Sequence, residues 1–549
     1  MFKRIQLLFN TSKYLKASQI LNRAKRKFIK PKVSLFNIPK KSHPYNKIKP
    51  VIQCPQRIYD ECSFKFLNKK FTLKSAEDWN TKSQDKLWLY NLHYFDDLNA
   101  INSEQRLVWH NNLIQKWIED NPVGLGNGWE PYPSSLRIVN WIKWFLLDLN
   151  SHNNIKQVWL DSIVIQTRFL SQNLEYHLLG NHLFANAKAL VFAGLFFKGK
   201  EADHWYQLGV SIINKELSEQ VLSDGGNFEL SPMYHAIFLE DLLDLVNINK
   251  AFDKSLPNNL ENKIVQMLEW LKIMCHPDGG VAFFNDSTLG VAPSLIELLS
   301  YADRLGIIFK KNKVNQLTHL VESGYIRVEK ENAVIIADVA NIGPDYIPGH
   351  GHADALSFEL SLFNKRTIIN SGISTYEMGI DRDNQRSTKL HSTITIDNKN
   401  SSEVWSAFRV ANRAKVFDIK KLEDHNGDVV FSACHDGYKK LKEGVLHCRN
   451  WSVSKNTITI VDNILGKGKH KISSVLPLHP NVVVDNAQGD SINLNVSEKK
   501  VKINFEGKGM LRVIDSKYYP EFGRSIDNKH LIYDYDSQLP SKITIKISW

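Results

Sequence analysis

Cysteine is scarce in this chain, at five in 549 residues, and none of the five sits in a CxxC spacing. Cys54, Cys62, Cys275, Cys434 and Cys448 are scattered and odd in number, which argues against a disulfide framework or a zinc knuckle and favours a reducing compartment. Long apolar runs are missing as well. Stretches such as Ala189–Phe197 fall far short of the roughly 18 residues needed to cross a bilayer, so no transmembrane helix is encoded. Acidic side chains are absent from residues 1–59, which hold 15 Lys or Arg. Residues 60–549 carry 55 basic and 58 acidic side chains, so the formal charge of +12 belongs to the arm alone. A nearly neutral body, without zinc spacing or a basic aromatic patch, leaves no basis for expecting nucleic acid as a partner. The arm is expected to meet something acidic, such as a membrane surface, a polyanion or a partner protein.

The start of the arm does not read as a cleavable signal. Met1–Arg4 is basic, but Ile5–Phe9 is interrupted by Gln6 and followed by Asn10, Ser12 and Lys13, with no small-residue cleavage site. Residues 14–29 (YLKASQILNRAKRKFI) read as a basic amphipathic helix, suited to an anionic membrane or to packing on the body. The expected location is therefore the cytoplasm or the face of the inner membrane.

The rest of the composition is that of a large folded protein. Hydrophobic residues make up 43% and charged residues 23%, and the length suggests two or three domains. Aromatic residues reach 11%, which suits both a large core and a sugar-stacking cleft. Residues 30–60 are rich in Pro and Lys and read as an extended linker or wrapping arm. From 60 to 320, apolar residues recur at three and four over Trp109–Trp117, Ser135–Leu147, Gln157–Leu174, Leu183–Phe197, Tyr206–Gln220, Tyr234–Val246 and Ile264–Met274. Short turns separate them, which predicts an all-α array, either a solenoid or a closed α/α ring. From 321 to 549, short alternating β-branched runs predict an antiparallel β-sandwich.

Four segments concentrate polar side chains beside glycine: GNHLFANAKAL (180–190), DGGNFELSPMYHAIFLEDL (224–242), PGHGHADALSFEL (348–360) and RSTKLHSTITID (386–397). Taken singly, Asn181 suits a helix cap, and Tyr234, His235 and His391 suit core residues with satisfied polar tips. His350-Gly-His352 is more pointed. Two imidazoles two residues apart share one face of an extended segment, as metal ligands or as a base beside a metal.

In combination and order, these motifs resemble the heparinase II/III-like polysaccharide lyases. WLYNLHYFDDL (88–98) and GWEPYPSSLRIVNWIKW (128–144) resemble a sub-group of that family whose members often lack a signal peptide. The resemblance implies an N-terminal α/α toroid followed by an antiparallel β-sandwich, and β-elimination of a uronate-containing, anionic polysaccharide. By the same resemblance, Asn181 neutralises the uronate carboxylate, Tyr234 is general acid with a second role as base left open, and His350 is general base. His182, Glu229 and His235 are candidates for substrate binding, and His93, Arg137 and Trp129 for lining the same cleft. Metal-bearing relatives imply a site at His352, position 370 and His391. Position 370 is Asn370 here, where an Asp is expected, so any ion would bind more weakly unless Asp354 compensates. An ion at that site is expected to be structural, and no organic cofactor is expected. Family precedent points to the periplasm, against the missing signal. Two other readings stand beside the lyase. A glycoside hydrolase would need two carboxylates about 5–10 Å apart, and Glu229 is the obvious acid. A glycan-binding protein of surface-polysaccharide biosynthesis with a weakened site is the other.

Overall fold

The computed structural model describes residues 2–147, 155–255, 257, 259–309, 314–423, 427–441 and 444–549. Two short helices, α1 (Phe2–Ser12) and α2 (Ala17–Phe28), open the chain. The Pro/Lys-rich segment after them wraps the body and does not hang free. Its backbone pairs with the ends of later helices, as in Ser42 N–H to Phe196 O (2.8 Å) and Tyr45 N–H to Ala251 O (2.9 Å). Asn247 clamps it by accepting from Lys49 N–H and donating to Lys49 O, each at 2.9 Å.

The helical region contains α3 (Lys86–Tyr94), α4 (Leu107–Asp120), α5 (Pro131–Leu147), α6 (Gln157–Ser171), α7 (Gly180–Phe196), α8 (Lys200–Gln220), α9 (Pro232–Ala251), α10 (Leu260–Ile273) and α11 (Leu295–Arg304). Its packing alternates. Helices α3, α5, α7, α9 and α11 touch in succession as an inner layer, while α4, α6, α8 and α10 lie against them from outside. The sequence explains this split. Along α7 and α9 nearly every residue is buried, as an inner helix requires, whereas α8 and α10 bury one stripe and expose the other. This two-layered array is an α/α toroid. The helical periodicity located α4 to α10 but not α3 or α11, whose apolar runs are short.

A five-stranded antiparallel meander over Leu317–Leu320, Tyr325–Lys330, Ala333–Asp338, Phe358–Leu362 and Lys365–Ile368 begins the β-region. Its first strand starts ahead of the expected boundary at 321. Ala333–Asp338 and Phe358–Leu362 are buried throughout, because helices cover one face and further strands the other. Trp270 and Met274 of the toroid share a small core with Tyr325, Val334 and Ile336 of this sheet, which cements the two regions. An eight-stranded and a four-stranded antiparallel sheet complete the sandwich. Alternating burial along Leu446–Val453 and Thr457–Leu465 is what one packed and one wetter face produce.

One cysteine expectation is corrected. Cys434 and Cys448 stand directly opposite on paired strands and form a disulfide, with Cα atoms 4.0 Å apart. Their separation of 14 residues in sequence hid a cross-strand pair.

Candidate active site

Three inner helices begin at one rim of the toroid, facing the sandwich. Tyr132 in the first turn of α5 lies 4.5 Å, ring to ring, from His182 in the first turn of α7. Asn181, beside His182, donates its backbone N–H to Glu229 (3.4 Å), just ahead of α9. Parallel helix N-termini gathered at one rim give it a positive potential that favours an anionic ligand.

The backbone here is held in strained forms. Leu179 sits at φ 67°, ψ −157°, and Leu230 at φ 58°. Between Leu179 and Asn181, Gly180 has φ +56°, and a Cβ on it would come within 2.9 Å of both Glu229 Oε1 and Ile347 Cδ1. Only glycine lets the α7 terminus approach Glu229 this closely. Leu179, not Asn181, stands at the N-cap of α7, and Asn181 sits half-buried in the first turn. His182 Nδ1 lies 3.2 Å from the buried Glu175 carboxylate. Burial alone would lower the His182 pKa, but that carboxylate wins and raises it.

On α9, Pro232 opens the helix and Ser231 Oγ caps it by accepting from Tyr234 N–H (3.2 Å). The Tyr234 ring then lies 3.9 Å from the His350 ring, which arrives from the sandwich side. Tyr234 and Tyr376 share a hydroxyl–hydroxyl hydrogen bond of 2.9 Å. Burial, reinforced by Tyr376, holds the Tyr234 phenol well above its ordinary pKa, so it is a proton donor at rest. His350 is 14% exposed in its side chain, and its Nε2 lies 3.5 Å from Glu229 Oε2.

Asp286 organises this side. It accepts from His350 Nδ1 and His352 Nε2, each at 2.9 Å, and from both terminal nitrogens of Arg382. Burial would raise its pKa, but the Arg382 guanidinium and the imidazole hydrogen bonds hold it well below the usual carboxylate range. Arg382 is itself fully buried and also donates to Ala407 O (3.0 Å).

The same hydrogen bonds fix two tautomers. His352 commits its Nε2 proton to Asp286, and His391 commits its Nδ1 proton to Ser387 O (2.8 Å). The remaining nitrogens, His352 Nδ1 and His391 Nε2, face each other at 3.1 Å. Burial depresses both, His352 to about 4, so two lone pairs meet unless a cation lies between them. Asp354 joins this group, with ligand atoms of all three within 4.8 Å of one another. Its buried Oδ2 has no hydrogen-bond partner and lines a cavity of about 10 Å³ with Asp338 and His352. Two oriented imidazoles and an unsatisfied carboxylate oxygen fit a divalent cation. Asn370, the expected third ligand, spends its amide on Ser357 Oγ and Ser392 N–H, both at 3.4 Å, and Asp354 is the carboxylate grouped with the two histidines.

Four further expectations are corrected. His93 is fully buried, bonded to Trp79 O and Trp117 Nε1, each at 3.0 Å. Arg137 is fully buried, donating to Gln166, His93 O and Gly128 O, with its guanidinium 3.8 Å from the Trp117 ring centroid. Trp129 bonds Asn121 O and packs on Trp117. His235 accepts from Asn227 N–H, pairs with Met267 O and stacks on Trp270 at 4.3 Å. All four are core residues with satisfied polar atoms, without a face on the cleft. Sequence reasoning missed Asp286, Tyr376 and Arg382, because no spacing linked them to the histidines.

A cleft of about 450 Å³ runs from Tyr376 along the junction of toroid and sandwich. Lys69, Lys517 and Arg524 line it, paired with Asp85, Asp527 and Glu521 respectively.

Comparison with known proteins agrees with this architecture. Residues 22–314 match the heparinase II/III N-terminus and residues 312–549 the heparinase II/III-like C-terminal region. A heparin-sulfate lyase of Pedobacter heparinus is 25% identical over 494 residues, covering 78% of this chain and 70% of that one. One from Bacteroides stercoris is 27% identical over 371 residues, covering 63% of this chain and 53% of its own length. The crystal structure of a heparinase III superposes with a TM-score of 0.71 at 19% identity, over 97% of this chain and 89% of that one. Matched along both its toroid and its sandwich, the chain belongs to the heparinase II/III-like family of polysaccharide lyases.

Proposed function

We propose that the protein cleaves a uronate-containing polysaccharide by β-elimination, with Asn181, His350 and Tyr234 at the reacting centre. The observation that carries this reading is the His350–Tyr234 pair, an oriented imidazole and a protonated phenol 3.9 Å apart, ring to ring, with the phenol bonded to Tyr376 at the end of the cleft. The C5 proton of a uronate is poorly acidic until its carboxylate is neutralised. The Asn181 amide, at a rim of helix N-termini, donates to that carboxylate as negative charge develops on it. His350 Nε2 takes the C5 proton, and Asp286 on the opposite nitrogen stabilises the imidazolium. Electrons from the C5–H bond form the C4–C5 double bond as the C4–O4 bond breaks. Tyr234 gives its proton to O4, and Tyr376 supports the phenolate that remains. A divalent cation held by His352, Asp354 and His391 would brace the His350 loop through Asp286 and supply no reacting atom.

Every cation lining the cleft beyond Tyr376 is already paired with a carboxylate. This charge balance favours a glycan carrying carboxylates with few sulfates. Hydrolysis fits less well. Asp286 is committed to Arg382 and two histidines, so it is not available as the second carboxylate that hydrolysis would need beside Glu229.

The test is mid-UV absorbance while the purified protein acts on uronate glycans of graded sulfation. A C4–C5 double bond conjugated to the carboxylate absorbs, and a hydrolysed end does not. Rising absorbance that disappears in Tyr234→Phe and His350→Ala is the expected result. New reducing ends without absorbance would overturn it.

A further inference from the structure

Helix α2 is mounted with its polar side inward. Lys16, just ahead of it, pairs with Glu219 and lies 3.7 Å from the Tyr346 ring centroid. Gln19 is buried and donates to Leu178 O (3.4 Å) and Tyr346 O (3.3 Å), and Arg26 Nη1 reaches the His177 ring at 2.9 Å. These positions share one stripe of the helix. The other stripe, Ile20, Leu21 and Phe28, points outward, with Leu21 69% and Phe28 84% exposed. Helix α1 repeats the arrangement. Thr11 accepts from Trp405 Nε1 (3.1 Å), while Ile5, Leu8 and Phe9 are exposed at the i, i+3, i+4 spacing of one face. A surface helix that meets only water does the reverse.

The outward stripe is bordered by exposed cations, Arg4, Lys13, Arg23, Lys25, Lys27 and Lys30, in a segment without an acidic residue. We infer that this face docks on a lipid bilayer bearing anionic headgroups, with the apolar stripe entering the headgroup boundary and the cations meeting lipid phosphates. A soluble polyanion would satisfy the cations and leave Leu21 and Phe28 in water. An uncharged apolar partner would cover the stripe and gain nothing from the cations. The inner face of α2 is bonded to Leu178 and Tyr346, on the loops leading to Asn181 and His350, so docking would bring the cleft to the membrane surface. The inference stands on the arm alone and does not depend on the lyase reading.

The experiment is flotation of the full chain with vesicles of phosphatidylcholine, or of equal parts phosphatidylcholine and phosphatidylglycerol. The chain is expected to float with the anionic vesicles, about tenfold less with the neutral ones, and less as salt rises. Phe9→Asp/Leu21→Asp/Phe28→Asp should abolish flotation with an unchanged unfolding temperature, and Phe28→Ser alone should weaken it if the triple variant folds poorly. Binding that is indifferent to these replacements would mean charge alone is being read, as by a soluble polyanion, and would overturn the inference. So would absence of binding to either vesicle, or a dimer in sedimentation that the replacements dissolve while wild type ignores lipid.

Discussion

His350 Nδ1 lies 2.9 Å from Asp286 Oδ2, and the opposite nitrogen of the same ring lies 3.5 Å from Glu229 Oε2. The carboxylate thereby selects the tautomer in which Nε2 is free to accept a proton. Asp286→Asn removes that selection and is expected to lower kcat by about 10²–10⁴-fold, measured on whichever glycan gives an absorbance signal.

The same substitution has a stability signature. It strands the buried Arg382 charge, which costs about 3–5 kcal/mol in thermal or urea unfolding. Asp286 is depressed in the folded state, so its contribution is full above the unfolded value of about 3.9 and is lost as pH falls from there through the native value. Wild type should lose stability in that acid window, and Asp286→Asn should start lower at neutral pH and fall less steeply. Parallel acid profiles would remove Asp286 from this role.

Asn181→Ala and His235→Ala separate a cleft residue from a core residue of the same cluster. The first should cost about 10²–10³-fold in kcat with little change in unfolding. The second strips partners from Asn227 N–H and Met267 O and should cost about 3 kcal/mol, while the folded enzyme keeps its turnover.

Metal content gives the third contrast. Prolonged chelation should lower the unfolding temperature, and added divalent ion should restore it. Asp354→Ala and His391→Ala should abolish that response, whereas Asn370→Ala should retain it. An equal loss at positions 354 and 370 would return Asn370 to the ligand set.

Much of this was legible in the residues, and the exceptions have a common cause. Helices α4 to α10 announced themselves because each buries a stripe with local periodicity. Tyr234 and His350 stood out because motif and glycine context mark them. Asp286 and Tyr376 did not, because what makes them matter is contact with residues 64 and 142 positions away, which no local spacing encodes. His93 and Arg137 illustrate the converse error. A polar residue within an aromatic motif looks exposed for binding, yet His93 is satisfied by Trp79 O and Trp117, and Arg137 by Gln166 and two backbone carbonyls. Asn370 lies with its amide bonded to Ser357 and Ser392, whereas Asp354, already weighed as a compensating carboxylate, clusters with His352 and His391.

Gln19 donates to a carbonyl on each side of the seam, Leu178 of the toroid and Tyr346 of the sandwich region. One amide thus acts as a clasp. Toroid and sandwich region cannot part at that point without breaking at least one of these hydrogen bonds, so the arm is a third party to the seam between them.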